Sequence, residues 1–398
     1  MTEKDNAIVG RDFKMLILNL GLSRIGTSAF NLVIIWVILY ETKSAFLAGL
    51  GDGIISLPLF FSFLVGAIVD STRHKKFLAY AGSFLRAVFL TTVLIGFYFN
   101  NLSLILISIY SSGFIVGFTS DILNSIRASW TKQFLDEESY KKGSSLQNSV
   151  SAMAEGVGFM ASGGFLILGF AKSFVAIIVV FLIALVPLFL MKPTEIEEKK
   201  GAIQSVKEGF AFIRKTAALM EVIVIGLITN LVFGMSSIVF IALIQVKLNL
   251  PSFYVSVVFS LLILGIIIGS GIAPRFKGKL GKMSSFPFLF LGVSVLSVSF
   301  TGNIFLVMVP DFIIGLLIGL INVFMSTAFL KIIPTEMMAR VNGAFNTFAL
   351  GATFSSGMIG GTIIQLTSIS TTFLILGGAV IAVTPLWLVF KELYSITI

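Results

Sequence analysis

Ser173-Phe-Val-Ala-Ile-Ile-Val-Val-Phe-Leu-Ile-Ala-Leu-Val-Pro-Leu-Phe-Leu-Met191 contains no charged residue, and Lys192-Pro193 follows it at once. A helix rises about 1.5 Å per residue, so about 20 apolar residues cross the hydrocarbon core of a bilayer. No water reaches the backbone there, so each span must satisfy its own hydrogen bonds as a helix or join a closed barrel. A barrel needs shorter segments of alternating polarity. This run does not alternate, so it reads as a transmembrane helix.

Eleven comparable runs flank it, giving twelve expected spans: 13–40, 45–69, 77–99, 102–128, 144–170, 173–191, 218–244, 252–273, 284–301, 304–331, 338–366 and 370–390. Asn100-Asn101, Pro193, Pro251 and Gly302-Asn303 punctuate them. The first run is too long for the core of a cleaved signal peptide and has no small-residue cleavage site after it. Composition agrees: 57% of the 398 residues are hydrophobic, only 12% are charged, and the mean hydropathy is +1.03. Soluble domains carry roughly twice that charge fraction.

The net charge of +9 does not mark a nucleic-acid binder, because the basic residues lie in short clusters between apolar runs. Alternating spans sort the loops into two sets. One set holds only Lys43, Lys172 and Lys247; Arg24 and Arg86 lie within spans, and all other Lys and Arg residues fall in the opposite set. Loops rich in Lys and Arg stay in the cytoplasm. Both termini are therefore expected inside, in a multi-pass cell-membrane protein whose partners are the lipid bilayer, a small molecule and the proton.

The longest polar stretch, residues 192–217, divides the chain into expected bundles 1–191 and 218–398 with a cytoplasmic linker between them. The halves show a faint repeat that aligns Glu138 with Glu336, Lys142 with Arg340, Asn148 with Asn346, Ala154 with Ala352, Met160 with Met358 and Gly163 with Gly361. Paired six-helix repeats are a transporter design with the substrate site near mid-membrane.

The loop between the second and third spans reads Gly66-Ala-Ile-Val-Asp70-Ser-Thr-Arg73-His-Lys75-Lys76. It resembles the signature loop of the major facilitator superfamily, although Ser71 stands where that family usually has a basic residue. Gly269-Ser-Gly-Ile-Ala273-Pro-Arg275-Phe-Lys277 occupies the same place in the second half and lacks the aspartate. The resemblance implies an all-α membrane fold of two pseudo-symmetric six-helix bundles. It also implies a cytoplasmic latch formed by Gly66, Asp70, Arg73, Lys75, Arg127 and Arg340. Gly66 would let helices approach, and Asp70 would meet the start of the eleventh span and pair with Arg127. Ile333-Pro-Thr-Glu336-Met-Met-Ala-Arg340-Val-Asn-Gly343 and residues 23–36 resemble efflux permeases of the macrolide and multidrug type. Span five reads Gly156-Val-Gly158-Phe-Met-Ala-Ser-Gly163-Gly164, with no proline where drug antiporters carry a Gly-Pro pair.

Charges within spans are expensive, about 2.5–3.5 kcal/mol each at a helix centre, and mark functional candidates. The six that lie well inside spans are Arg24, Asp52, Arg86, Asp121, Glu155 and Asp311. By the family resemblance, spans 1, 4, 7 and 10 line the cavity, which brings Arg24, Asp121 and Asp311 close to the path. Burial disfavours a charged carboxylate and a neighbouring arginine favours it. A carboxylate that exchanges an arginine partner between two states therefore carries a proton, and Glu155 and Asp121 are the expected carriers. Asn19, Asn124, Asn230 and Asn322 are polar positions on those four spans that could meet substrate or join helices. Four Gly-x-x-x-Gly pairs, at 113/117, 265/269, 315/319 and 357/361, read as seams within one chain rather than a dimer face, so a monomer is expected.

There is no cysteine, and His74 is the only histidine, in a basic loop. That removes thiolate or histidine metal sites and a Ser-His-Asp triad. There is no Walker-type phosphate loop, and Gly49-Leu-Gly51-Asp-Gly53 lacks the spacing of a dinucleotide site. No enzyme activity, cofactor or metal is expected. The expected function is proton-coupled export of a hydrophobic or amphipathic small molecule by alternating access. An uptake symporter or facilitator, or a non-transporting receptor or scaffold, are the alternatives.

Overall fold

The computed structural model describes residues 10–62, 65, 69, 72–135, 139–193, 202–334 and 338–397. For 132, 140–141, 202–206, 338–340, 342–343 and 346–352 it describes the backbone alone. The helices in the first half of the chain are α1 (Arg11–Thr42), α2 (Ala45–Phe60), α3 (Lys75–Tyr98), α4 (Leu102–Phe134), α5 (Tyr140–Ile167) and α6 (Phe170–Leu190). The linker helix α7 (Ala202–Lys215) follows. The second half contains α8 (Ala217–Gly234), α9 (Ser236–Ala242), α10 (Phe253–Ile272), α11 (Leu280–Val298), α12 (Ile304–Ile332), α13 (Met338–Leu366) and α14 (Ile369–Val383). The short helices α15 (Leu386–Val389) and α16 (Lys391–Ser395) close the chain.

Each expected span coincides with helix over most of its described residues. Ten helical stretches among the described residues are long and apolar enough to cross a membrane, and α2 is a shorter apolar helix. Two spans differ from expectation. The fourth does not stop at 128 but runs on to Phe134, so Arg127 lies two turns before the helix ends, and it is buried. The seventh is discontinuous: α8 ends at Gly234, α9 begins at Ser236, and a π-helical turn covers Leu243–Lys247. A Cβ at Gly234 would collide with Ser356, so the break falls where the backbone approaches α13 most closely.

Compact packing divides the chain into Met1–Ile34 with Leu57–Ala202, and Ile35–Ser56 with Ile203–Ile398. In the first unit α3 packs on α4 and α6; in the second α11 packs on α12 and α14, the corresponding neighbours. In the first unit Phe13, Leu16, Ile126, Trp130 and Leu188 belong to one buried cluster.

In the second unit, glycines do the work that the apolar seams predict. Cβ atoms at Gly265 and Gly269 of α10 would strike the backbone of Phe312 and Leu316 in α12. Cβ atoms at Gly315 and Gly319 would strike Leu262 and Ile266 in α10. The two Gly-x-x-x-Gly pairs interlock backbone to backbone, and Ser270 Oγ donates to the Gly319 carbonyl at 3.3 Å. Gly357 and Gly361 likewise meet Gly49 and Ala45 of α2, all within this unit. The chain's end is tied down as well: the backbone N–H of Leu393 donates to Glu221 Oε2 at 2.7 Å, and that of Leu280 to the Ile396 carbonyl at 2.7 Å.

Candidate functional site

The first unit gathers more of the expected site residues than any other place. Arg24 of α1 and Glu155 of α5 form an ion pair, Nη2 to Oε2 at 2.6 Å, with both side chains partly accessible. Gly158, one turn beyond Glu155, makes this approach possible, because a Cβ there would lie 2.6 Å from the Ile25 carbonyl oxygen of α1.

Arg127 of α4 is buried, and neutral acceptors hold it. Asn19 Oδ1 accepts from Nη2 at 2.8 Å and from Nε at 3.2 Å, and Asn124 Oδ1 accepts from Nη1 at 3.2 Å. Asn19 is fully buried and orients itself by donating to the Ala184 carbonyl of α6 at 2.8 Å. Arg86 of α3 is 1% exposed; it donates from Nε to Thr119 Oγ1 at 2.6 Å and from Nη2 to Ser120 Oγ at 3.0 Å. Its guanidinium also lies 5.3 Å from the centre of the Phe181 ring, a favourable cation–π geometry. Arg24, Arg86 and Arg127 share one polar pocket of about 130 Å³, with Ser120, Asn124 and Ser151 on its wall.

Asp121 is buried on α4 and accepts from Ser62 Oγ at 2.7 Å; its Oδ2 has no partner among the described residues. Asp311 of α12 is 1% exposed, with Oδ2 likewise unpartnered among the described residues. Asp52 lies in the second unit beside Gly357.

Of the expected latch, Gly66 and Asp70 lie outside the described residues, as does the side chain of Arg340. Arg73 is exposed, while Lys75 is buried and donates to Ser129 Oγ at 2.9 Å. Arg127, expected as a latch partner, is engaged by Asn19 and Asn124.

The second unit has its own pocket of about 290 Å³. Asn230 of α8 and Asn322 of α12 meet there with Phe288, Phe329, Phe345 and Trp387. Asn230 Nδ2 donates to the Gly226 carbonyl at 2.8 Å, and the buried indole N–H of Trp387 has no partner among the described residues. Sequence reading missed Thr119, Ser120, Phe181 and Trp387. The Asn124–Arg127 spacing, three residues on one helix face, was the available signal for part of the first pocket.

Ten helical stretches among the described residues are apolar and long enough to cross a membrane, and each unit holds a pocket walled by its own helices, an arrangement that suits a membrane carrier. The chain belongs to the Major Facilitator Superfamily, whose model matches residues 16–355. It is a multi-pass membrane protein of the class that carries out secondary transport. Three solved structures share its fold with a TM-score of 0.75 each. One is a POT family transporter in complex with a thioalcohol-conjugated peptide, at 13% identity over 96% of both chains. Another is the nucleoside transporter NupG, at 11% identity over 97% of this chain and 100% of that one. The third is a bacterial homologue of the iron transporter ferroportin, at 14% identity over 96% of this chain and 98% of that one. At such identities the likeness shows the fold alone. No curated protein matches the sequence.

Proposed function

We propose that the chain is a proton-coupled secondary carrier that exports a hydrophobic or amphipathic small molecule. In this reading the bundles 1–191 and 218–398, joined by 192–217, alternate access to a central path. The observation that carries it is the pocket of the second unit, in which four aromatic side chains surround the amides of Asn230 and Asn322. A mostly apolar wall with a few polar groups is how proteins hold small amphipathic ligands. Met325 on the same wall adds a surface that adapts to varied shapes.

Proton coupling is supported by the Arg24–Glu155 pair, because an accessible carboxylate whose ion partner can be exchanged is able to take up and release a proton. The outward direction rests on the likeness of residues 23–36 and 333–343 to efflux permeases. The basic loops support a cell-membrane location with both termini inside.

The test is reconstitution into liposomes with an imposed pH gradient and a panel of lipophilic cations, anions and neutral compounds. Gradient-driven movement that Glu155→Gln abolishes is the expected result. Movement that is unchanged in both Glu155→Gln and Asp121→Asn would remove proton coupling through these groups. Gradient-driven accumulation on the cytoplasmic-loop side would reverse the direction.

A further inference from the structure

Three guanidinium groups, Arg24, Arg86 and Arg127, line the pocket of the first unit, and Glu155 is the carboxylate bonded to one of them. Asp121, on the same helix as Arg127, is turned to Ser62 instead.

Arginine keeps its charge under any accessible condition. A buried cation that serves only the fold is normally neutralised by a carboxylate, because an unpaired charge in a poorly solvated site costs several kcal/mol. Here Arg86 and Arg127 are 1% and 7% exposed, yet hydroxyls and amides hold them. Those partners fix the direction of each guanidinium and, among the described residues, supply no carboxylate to offset its charge. The Nε of Arg24 is buried without a partner among the described residues. Orientation without neutralisation is the design of a site whose counter-charge arrives with a ligand, and paired guanidiniums match carboxylate and phosphate oxygens geometrically.

We propose that this pocket binds the anionic group of the transported molecule, a carboxylate, phosphate or sulfonate, so that the substrate is an amphipathic anion. The proposal rests on the carrier reading above and narrows its substrate class. With Glu155 neutralising Arg24, the excess charge falls on Arg86 and Arg127, which would take the anion. Ser120 and Asn124 on the same wall could supply further hydrogen bonds. A volume of about 130 Å³ fits a head group rather than a whole drug-sized molecule, so the apolar body must lie outside this pocket.

The test measures binding of dodecanoate, dodecyl phosphate, dodecanol and dodecyltrimethylammonium to the full-length protein in nanodiscs of neutral phosphatidylcholine. Both anions are expected to bind at least about tenfold more tightly than the alcohol and the cation. Asn124→Asp is nearly isosteric and supplies an internal counter-charge 3.2 Å from Arg127. It preserves the packing and is expected to weaken anion binding at least about tenfold more than dodecanol binding. Arg86→Gln is expected to do the same, and Arg86→Lys to restore part of the affinity.

Equal affinity for anion and alcohol, or undiminished anion binding in Asn124→Asp, overturns the proposal. Repeating the titration with phosphatidylglycerol in the nanodisc separates a lipid head group from a soluble anion. If anionic lipid alone abolishes dodecanoate binding in competition, and dodecanoate is not moved in liposomes, the occupant is lipid and the substrate proposal fails. Gradient-driven movement of cations or neutral compounds without anion binding would sink this inference and leave the carrier reading intact. Anion binding without movement of any panel compound would count against the carrier reading and strip the anion site of its assignment to a transported molecule.

Discussion

Replacing Asn19 by leucine tests whether Arg127 depends on neutral acceptors. Asn19 Oδ1 receives two hydrogen bonds from Arg127, at 2.8 and 3.2 Å, and Nδ2 donates to Ala184 at 2.8 Å, all at a position with no solvent exposure. Leucine keeps the branched four-atom skeleton, though with a larger volume, and removes all three side-chain bonds. Hydrogen bonds to charged groups contribute roughly 1.5–3 kcal/mol each, and stranding a buried charge costs about 3–5 kcal/mol. Asn124 and the backbone carbonyl of residue 19 each keep a bond to Arg127, so the lower part of that range, about 3 kcal/mol, is the expected loss. Scaled to a unit of this size, the thermal midpoint should fall by roughly 6–12 °C in a fluorescence-based unfolding scan of detergent-purified protein.

The decisive control is the double variant Asn19→Leu with Arg127→Met. Once the charge itself is gone, the missing acceptors no longer matter, and replacing both partners by apolar groups is often neutral or stabilising. Most of the lost midpoint should return, giving a coupling energy of about 2 kcal/mol in the double-mutant cycle. The same double variant should lose anion affinity. An unchanged midpoint for Asn19→Leu, or a double variant as unstable as the single one, would refute the view that Arg127 is a buried charge held by neutral groups.

Three further outcomes follow from the packing. Gly315→Leu should abolish the monodisperse folded peak in fluorescence-detected size exclusion, because its Cβ meets the Leu262 backbone and neither helix can yield; Gly164→Ala, with nothing within 4 Å, should leave the peak intact. Glu221→Ala should raise amide hydrogen exchange across 391–395, since it removes the acceptor for Leu393 N–H at 2.7 Å, while exchange in α3 stays unchanged. Asp311→Asn, which keeps the shape of a 1%-exposed side chain and removes an ionisable group lacking an ion partner among the described residues, should leave the thermal midpoint unchanged or higher; a large fall would mean that the fold depends on the carboxylate itself.

The fold class lay in the order of apolar runs. Crossing a bilayer is a one-dimensional requirement on length and hydropathy, so twelve runs, their loops and the basic asymmetry could be read residue by residue. The six intramembrane charges stood out for the same reason, being expensive wherever they point. What could not be read was which of them meet. The Arg24–Glu155 bond joins positions far apart in the chain, and it depends on α1 and α5 lying close enough at Gly158 for the side chains to touch. Arg127 sat in the sequence beside loop charges, and only the structure shows that the helix carries on past it and that Asn19 bonds it. The pocket of three arginines therefore belongs to the tertiary structure alone. Hydropathy reports how far each segment lies from water, whereas the rotation of each helix about its axis is set by packing between helices, and that rotation selects the side chains that converge.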